Sequence, residues 1–325
     1  MSSERRNRLK PEDSRVFPFD QNDIRKRKSF AGIFLLVAVI ILVNLGAGTA
    51  LCASYKDALD RKVEIREPPG RIIPLAPSLT EILYRLGLGN RVVGVTAHCN
   101  YPPEAAAKPK VGSYINLNIE QIVSLAPELV IGTVDGNERR IVELIEKAGI
   151  SVYLVNPRNV RDAIVTIALL GELCGVEAKA KALAAQLSAR VDKVVEMTAS
   201  RTKPLVFLQI NLQPIMTVNS RTIHHDLISL AGGRNMTSRE PITYPRISME
   251  EIIHRQPDII LISSMDRGGG FEKAREEWLK WSSIPAVKAG RVHLIESDLI
   301  DRPSPRVVEG LEKMARLIHP GINWK

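Results

Sequence analysis

The sequence predicts an α/β protein of two lobes, each a mostly parallel sheet with flanking helices, joined by a single long rigid helix. Three observations predict it. Short β-branched runs alternate with helical segments from residue 71 to residue 155, and a second series of the same kind begins at Pro204. Strands that alternate with helices are the pattern of a parallel, helix-covered sheet. Between the two series, residues 160–200 are free of proline and dense in Ala, Leu, Glu, Lys and Val.

In the first series the expected strands are 71–75 (RIIPL), 91–95 (RVVGV), 129–131 and 152–155, with helices at 80–86, 119–125 and 138–148. In the middle stretch Gly175 divides two helices, and the second, near 177–199, would be about 35 Å long. A helix of that length is a stiff connector and not a flexible linker. The second series places strands near 205–210, 215–218, 259–262 and 292–295, with helices near 223–231, 249–255, 272–281 and 304–318. Trp278 and Trp281, three apart on one of these helices, are read as core. The expected divisions are a basic leader (1–30), an apolar segment (31–53), a linker (54–70), a first lobe (71–175), the connecting helix (176–202) and a second lobe (203–325).

The chain has 325 residues, 45% hydrophobic and 25% charged, with three cysteines. That profile excludes wholly disordered, collagen-like and disulfide-stapled proteins. A net charge of +9 invites a nucleic-acid partner, yet residues 1–30 alone hold nine Lys and Arg against five acids. No nucleic-acid partner is therefore expected. Basic residues 25–28 precede an apolar run at 31–43 and a small-residue stretch at 45–53 (LGAGTALCA), the order of a secretory signal. The same segment could remain as an anchor in the inner membrane, since about 20 apolar residues span a bilayer. Lipidation at Cys52 is a third reading, although Leu51 stands where such signals usually carry a small residue. All three place the remainder outside the cytoplasm, because a basic flank stays inside. Cys174 lies in an apolar helical stretch and reads as a small buried hydrophobe; export permits a bridge to Cys99.

Both halves carry one local repeat: NIEQIVSLAPELVI at 118–131 matches SMEEIIHRQPDIIL at 248–261. An N-cap residue (Asn118, Ser248) is followed three positions later by Gln121 or Glu251, the capping-box arrangement. Glu120 and Glu250 then occupy equivalent places in a first helical turn. Acids there are favoured by the helix dipole alone, but the recurrence marks a symmetric pair. Ser78-Leu79-Thr80-Glu81 reads as another capping box, whose backbone N–H groups could meet a polar ligand. No catalytic set accompanies these motifs: G-x-S-x-G, the P-loop and G-x-G-x-x-G are all missing from the sequence. Gly268-Gly269-Gly270 lacks the Lys-[Ser/Thr] that cradles phosphate and reads as a loop. His224 and His225 are adjacent and do not share a helix face, so they make a poor metal pair.

The segments 71–83 (RIIPLAPSLTEIL), 92–95, Tyr101-Pro102-Pro103, 118–131, 226–235 (DLISLAGGRN), 284–295 and 302–314 resemble, in order and spacing, the substrate-binding proteins of ABC importers for cobalamin, ferric siderophores and haem. The likeness covers about residues 71–319, and Tyr101-Pro102-Pro103 with 297–302 (SDLIDR) is most similar to the cobalamin-binding members. The resemblance implies the helical-backbone metal-chelate receptor fold, with cargo held between the lobes, no enzymatic activity and no cofactor of the protein's own. It implies His98, Tyr114, Tyr244, Asp298 and Arg302 as cargo contacts; the first three replace larger aromatics of the cobalamin-binding members, and Leu299-Ile300 also stand where those have aromatics. His98 would be placed to approach the cargo's metal, or else is a surface loop histidine. Glu120 and Glu250 fall on the pair that engages arginines of the permease dimer, so the implied partners are an ABC permease with its ATPase. The expected cargo is cobalamin or a related corrinoid, with a ferric siderophore or haem as the rival. A membrane-anchored metal-chelate sensor on the same fold is a third reading.

Overall fold

The computed structural model describes residues 51–263 and 270–324. The described chain opens in an antiparallel hairpin of β1 (Leu51–Lys56) and β2 (Lys62–Glu67). In β2, Val63 and Ile65 turn inward while Lys62, Glu64 and Arg66 stay exposed, the period-two alternation of a strand with one buried face. The 54–70 stretch expected as a linker is thus largely this hairpin, its two inward apolar residues masked by the charges between them. Of the expected signal or anchor, residues 31–50 lie outside the described residues, whereas Leu51, Cys52 and Ala53 pair with Glu67, Arg66 and Ile65. Among the described residues, no helix is long and apolar enough to cross a membrane.

The first lobe follows as β3 (Ile72–Pro74), α1 (Pro77–Arg85), α2 (Pro103–Ala106), α3 (Ile119–Ser124), β4 (Leu129–Thr133), α4 (Arg139–Lys147) and β5 (Ser151–Val155). Its described strands pair in parallel in the order β3-β4-β5. The hairpin covers the β5 edge: Ser151 Oγ donates to the Glu64 carbonyl at 2.7 Å and the Tyr153 hydroxyl to the Lys56 carbonyl at 3.0 Å. A covered edge is closed to pairing with another chain.

Two helices come next, α5 (Val160–Leu173) and α6 (Glu177–Thr198). Gly175 lies between them at φ 71°, in the left-handed region that glycine adopts without steric cost. The second lobe contains β6 (Leu205–Gln209), α7 (Ile223–Leu230), β7 (Arg234–Asn235), α8 (Met249–Arg255), β8 (Ile259–Ile262), α9 (Gly270–Leu279), α10 (Pro285–Lys288), β9 (Val292–Leu294), α11 (Ser297–Ile300) and α12 (Val307–Ile318). Its strands are parallel in the order β7-β6-β8-β9. Strands β4 and β8 are buried at every position, as expected where helices cover both faces.

The expected strands at 91–95 and 215–218 reduce to isolated bridges, Ile72 to Val92, Val95 to Lys110, and Met216 to Asn211 and Arg246. Both runs are β-branched and partly buried, but the chain leaves the sheet after a residue or two to build loops. Strand β7 escaped notice because two residues are too short to show a period. Of the two tryptophans, Trp278 is buried and packs edge-on to Phe207 at 5.8 Å between centroids. Trp281 lies beyond the end of α9 and is 40% exposed, so it is not core.

One apolar cluster runs from Ile65 through Leu79, Ile167, Leu187 and Val206 to Leu311, joining the hairpin, both helices of the connector and the second lobe. Two further clusters fill the opposite faces of the sheets, around Ile73 and Val130 in one lobe and around Phe207 and Ile260 in the other. Helix α6 is fixed to the second lobe by the two-pronged pair of Arg190 with Glu312, at 2.8 and 2.9 Å. Lobes that share a core and a stiff helix cannot swing apart freely.

Cys99 and Cys174 are buried free thiols. Thr80 and Thr96 hydroxyls contact the Cys99 sulfur at 3.1 Å each. Burial pushes the Cys174 thiol up to about 12, with Arg91 opposing, so no appreciable thiolate exists at neutral pH. Iodoacetamide should therefore leave Cys99 and Cys174 unmodified in the native protein and alkylate both after denaturation; mass spectrometry that finds either modified natively would contradict this packing.

Candidate functional site: the cleft between the lobes

In parallel α/β sheets ligands bind outside the carboxyl ends of the strands, and the candidate residues gather there. In the first lobe Tyr114 is presented by a tight loop in which the Ser113 N–H donates to the Asn116 carbonyl at 2.8 Å. Its hydroxyl lies 3.0 Å from Thr133 Oγ1 at the end of β4. The ring lies directly against Gly136, where a Cβ would come within 1.8 Å of it. Arg158, after β5, pairs with Asp135, after β4, its Nη2 donating to Oδ1 at 2.9 Å.

Tyr244 comes from the second lobe and is 48% exposed. Burial of its phenol on the cleft side raises its pKa, and the charges of Asp135 and Asp301 raise it further while Arg158 opposes. Tyr114 adds to the same shift. The two tyrosines are 130 residues apart, the offset that separates Glu120 from Glu250. The repeat therefore extends upstream to the tyrosines, with tyrosine and glutamate at equal spacing in each lobe.

A second corner of the cleft brings His98, Asp298 and Arg302 together, around a residue that sequence reasoning had assigned elsewhere. Glu81 on α1 is only 3% exposed. Its Oε1 accepts from Arg302 Nη1 at 2.9 Å and Arg306 Nη2 at 2.8 Å; its Oε2 accepts from Ser304 Oγ at 2.7 Å and Arg306 Nε at 2.9 Å. The capping-box reading of Ser78 to Glu81 is thereby corrected. Helix α1 starts earlier, at Pro77, with Ala76 as N-cap and no side-chain cap bond. Pro at the first helical position supplies the start instead, and Glu81 is free to face the other lobe.

Arg302 is heavily engaged. Besides Glu81, its Nη1 donates to Asn100 Oδ1 at 2.8 Å, and its Nη2 pairs with Asp298 Oδ1 at 2.7 Å and reaches the His98 carbonyl at 3.5 Å. Asn100 Nδ2 in turn donates to Asp298 Oδ2 at 3.1 Å. The His98 side chain itself is exposed. Arg306 lies 3.9 Å over the Tyr101 ring, and its pKa is raised chiefly by the Glu81 hydrogen bonds. Removing one member of such a buried set strands the others, at a cost on the order of 3–5 kcal/mol.

Other interactions bind the cleft's second-lobe wall. His224 is buried, and its Nε2 lies 2.8 Å from Asp301 Oδ1. Asp226 Oδ2 accepts from the Val160 N–H at 2.9 Å, at the start of α5. Among the described residues no group of three or more His, Cys, Asp or Glu is arranged to hold a metal ion. Gly268 and Gly269 lie outside the described residues.

The two repeat helices form as expected. Asn118 Oδ1 accepts from the Gln121 N–H at 2.9 Å, and Ser248 Oγ from the Glu251 N–H at 3.2 Å. Glu120 and Glu250 are exposed. The Glu250 carboxyl is held below its usual range by its own backbone N–H and by Ser248.

Two parallel-sheet lobes around a shared helical connector, with side chains from both sides meeting in one cleft, define a two-lobed ligand-binding protein. The chain belongs to the periplasmic binding protein family, whose model matches residues 72–299. An uncharacterised ABC transporter substrate-binding lipoprotein of Bacillus subtilis is 32% identical, over 90% of this chain and 98% of its own length. The periplasmic vitamin B12-binding protein of Vibrio cholerae superposes with a TM-score of 0.71 at 27% identity, covering 78% of this chain and 98% of that one. An apo periplasmic haem-binding protein of Roseiflexus superposes at 0.70 with 25% identity, covering 77% and 98%. The chain is thus a substrate-binding protein of the ABC importer class that handles vitamin B12, haem and siderophores, a class that works outside the cytoplasm and not as an enzyme.

The raised pKa of Tyr244 has a measurable consequence. A phenol whose folded-state pKa is raised stays neutral to higher pH than the ordinary value near 10, as burial also makes Tyr84 and Tyr153 do. Tyr244→Phe should remove one late-ionising phenol from a spectrophotometric alkaline titration; loss of an early-ionising one would contradict the cleft geometry.

Proposed function

We propose that this protein captures cobalamin or a related corrinoid between its lobes and delivers it to an ABC permease dimer and its ATPase. The observation that carries the reading is the character of the cleft. Tyr114 and Tyr244, at equivalent places in the two lobes, offer flat surfaces from both sides, and Arg158, Arg302 and Arg306 are each already paired with a carboxylate. A corrinoid has a broad apolar face and a rim of neutral amides, which suits aromatic surfaces and paired charges. Haem propionates and siderophore oxygens are better matched by unpaired cations. His98 is exposed beside this corner and is placed to approach a cargo metal. Glu120 and Glu250 serve as docking residues, one per lobe at fixed spacing, orienting the complex more than adding affinity. The pairing of Leu51 to Ala53 in β1 favours an export boundary ahead of Leu51 over cleavage after Ala53.

Titration of the full-length chain in mild detergent with cyanocobalamin, haem and a ferric siderophore tests the cargo by visible spectra and heat. Saturable corrinoid binding at micromolar protein is expected, and saturation only by haem or siderophore would overturn the choice. Gly136→Ala, which displaces the Tyr114 ring, should weaken cyanocobalamin binding about tenfold, the scale of one lost aromatic contact. Charge reversal at both Glu120 and Glu250 should abolish uptake in cells and leave cargo affinity unchanged; a loss of affinity would contradict the docking assignment.

A further inference from the structure

Glu81 and the residues it holds have no part in docking or in the facing tyrosines, and they join the two lobes directly. Glu81 sits on α1 in the first lobe, whereas Arg302, Ser304 and Arg306 lie in the segment between α11 and α12 of the second. The carboxylate is 3% exposed, so cargo cannot reach it. Each guanidinium is further braced from the first lobe, Arg302 by Asn100 and Arg306 by the Tyr101 ring. We infer that Glu81 is the positioning residue of the cleft: it fixes the separation of the lobes through Arg302 and Arg306, which act as struts between them. The reason is directional. Arg302 uses both terminal nitrogens on Glu81, Asn100, Asp298 and the His98 carbonyl, and all of these except Asp298 belong to the opposite lobe. A carboxylate shared by two arginines also neutralises what would otherwise be a like-charge pair, and removing it makes the arginines repel across the corner.

This rests on the cleft being the cargo site, so the test has one arm that needs no cargo. Nitroxide labels on the full chain, introduced as Arg140→Cys in the first lobe and Lys288→Cys in the second with Cys52→Ser, report the distance between lobes by pulsed electron resonance. In the ligand-free parent one narrow distance is expected. Glu81→Gln should broaden and lengthen it and weaken cyanocobalamin binding at least tenfold, and Glu81→Gln with Arg306→Gln, which restores charge balance and an amide pair, should recover much of both. If Glu81→Gln fails to fold, Ser304→Ala, which removes the Oγ bond to Glu81 and the Oγ acceptor of the Arg306 N–H but keeps both arginines on the carboxylate, should give the same change at smaller amplitude. An unchanged distance distribution overturns the proposal, whether or not any cargo binds. A widened distance with cyanocobalamin affinity intact also overturns it, because the lobes would then move without consequence for the cleft. Should the parent fail to bind cyanocobalamin, the cargo reading fails alone, and the distance arm still decides the role of Glu81.

Discussion

A buried glutamate between two arginines is the constraint on which the cleft depends. Glu81 could not be left at 3% exposure without partners, and its partners come from the other lobe. Because the cluster is complete only when the lobes are at one separation, the cost of an unpaired buried charge becomes a penalty on opening. Sequence-distant groups are thereby held in place for the cleft: His98, Asn100 and Tyr101 on one side, Asp298 and Arg302 on the other.

The rest of the body supports that one separation. The apolar cluster that spans hairpin, connector and second lobe joins the lobes along the connector side, and Arg190 with Glu312 ties α6 to α12, so the Glu81 corner is left to set how far the lobes separate. Selection then falls to the shape of the gap and to the tyrosines that face it. Since the cleft arginines already have carboxylate partners, the cargo they suit is one that brings no net charge of its own. The equal spacing of Tyr114 to Glu120 and Tyr244 to Glu250 places a tyrosine and an exposed glutamate on the same short segment in each lobe.

Much of this was legible in the sequence. Alternating strand and helix runs gave the parallel sheets, the proline-free stretch gave α6, and the repeat gave both capped helices with their exposed glutamates. The hairpin was less visible because only Val63 and Ile65 mark its buried face. The strands expected at 91–95 and 215–218 had the right residues but bend away after one or two pairings, a decision made by loops and not by propensity. Glu81 was readable only as a helix-start acid, since its true partners lie more than 200 residues away. Asp135 and Arg158 were missed for the same reason: an ion pair between two loops leaves no periodic signal. Local pattern reports elements, whereas long-range charge pairing appears only once the topology is known.

The central claim is that the cleft selects its cargo by surface and shape, its own charges being already satisfied. Calorimetric measurement of cyanocobalamin affinity across ionic strength tests this most directly, because unpaired charges lose their pull as salt screens them. From about 20 mM to about 500 mM salt the dissociation constant should change by less than about threefold. A weakening of tenfold or more over that range would show that free charge holds the cargo, and would contradict the account.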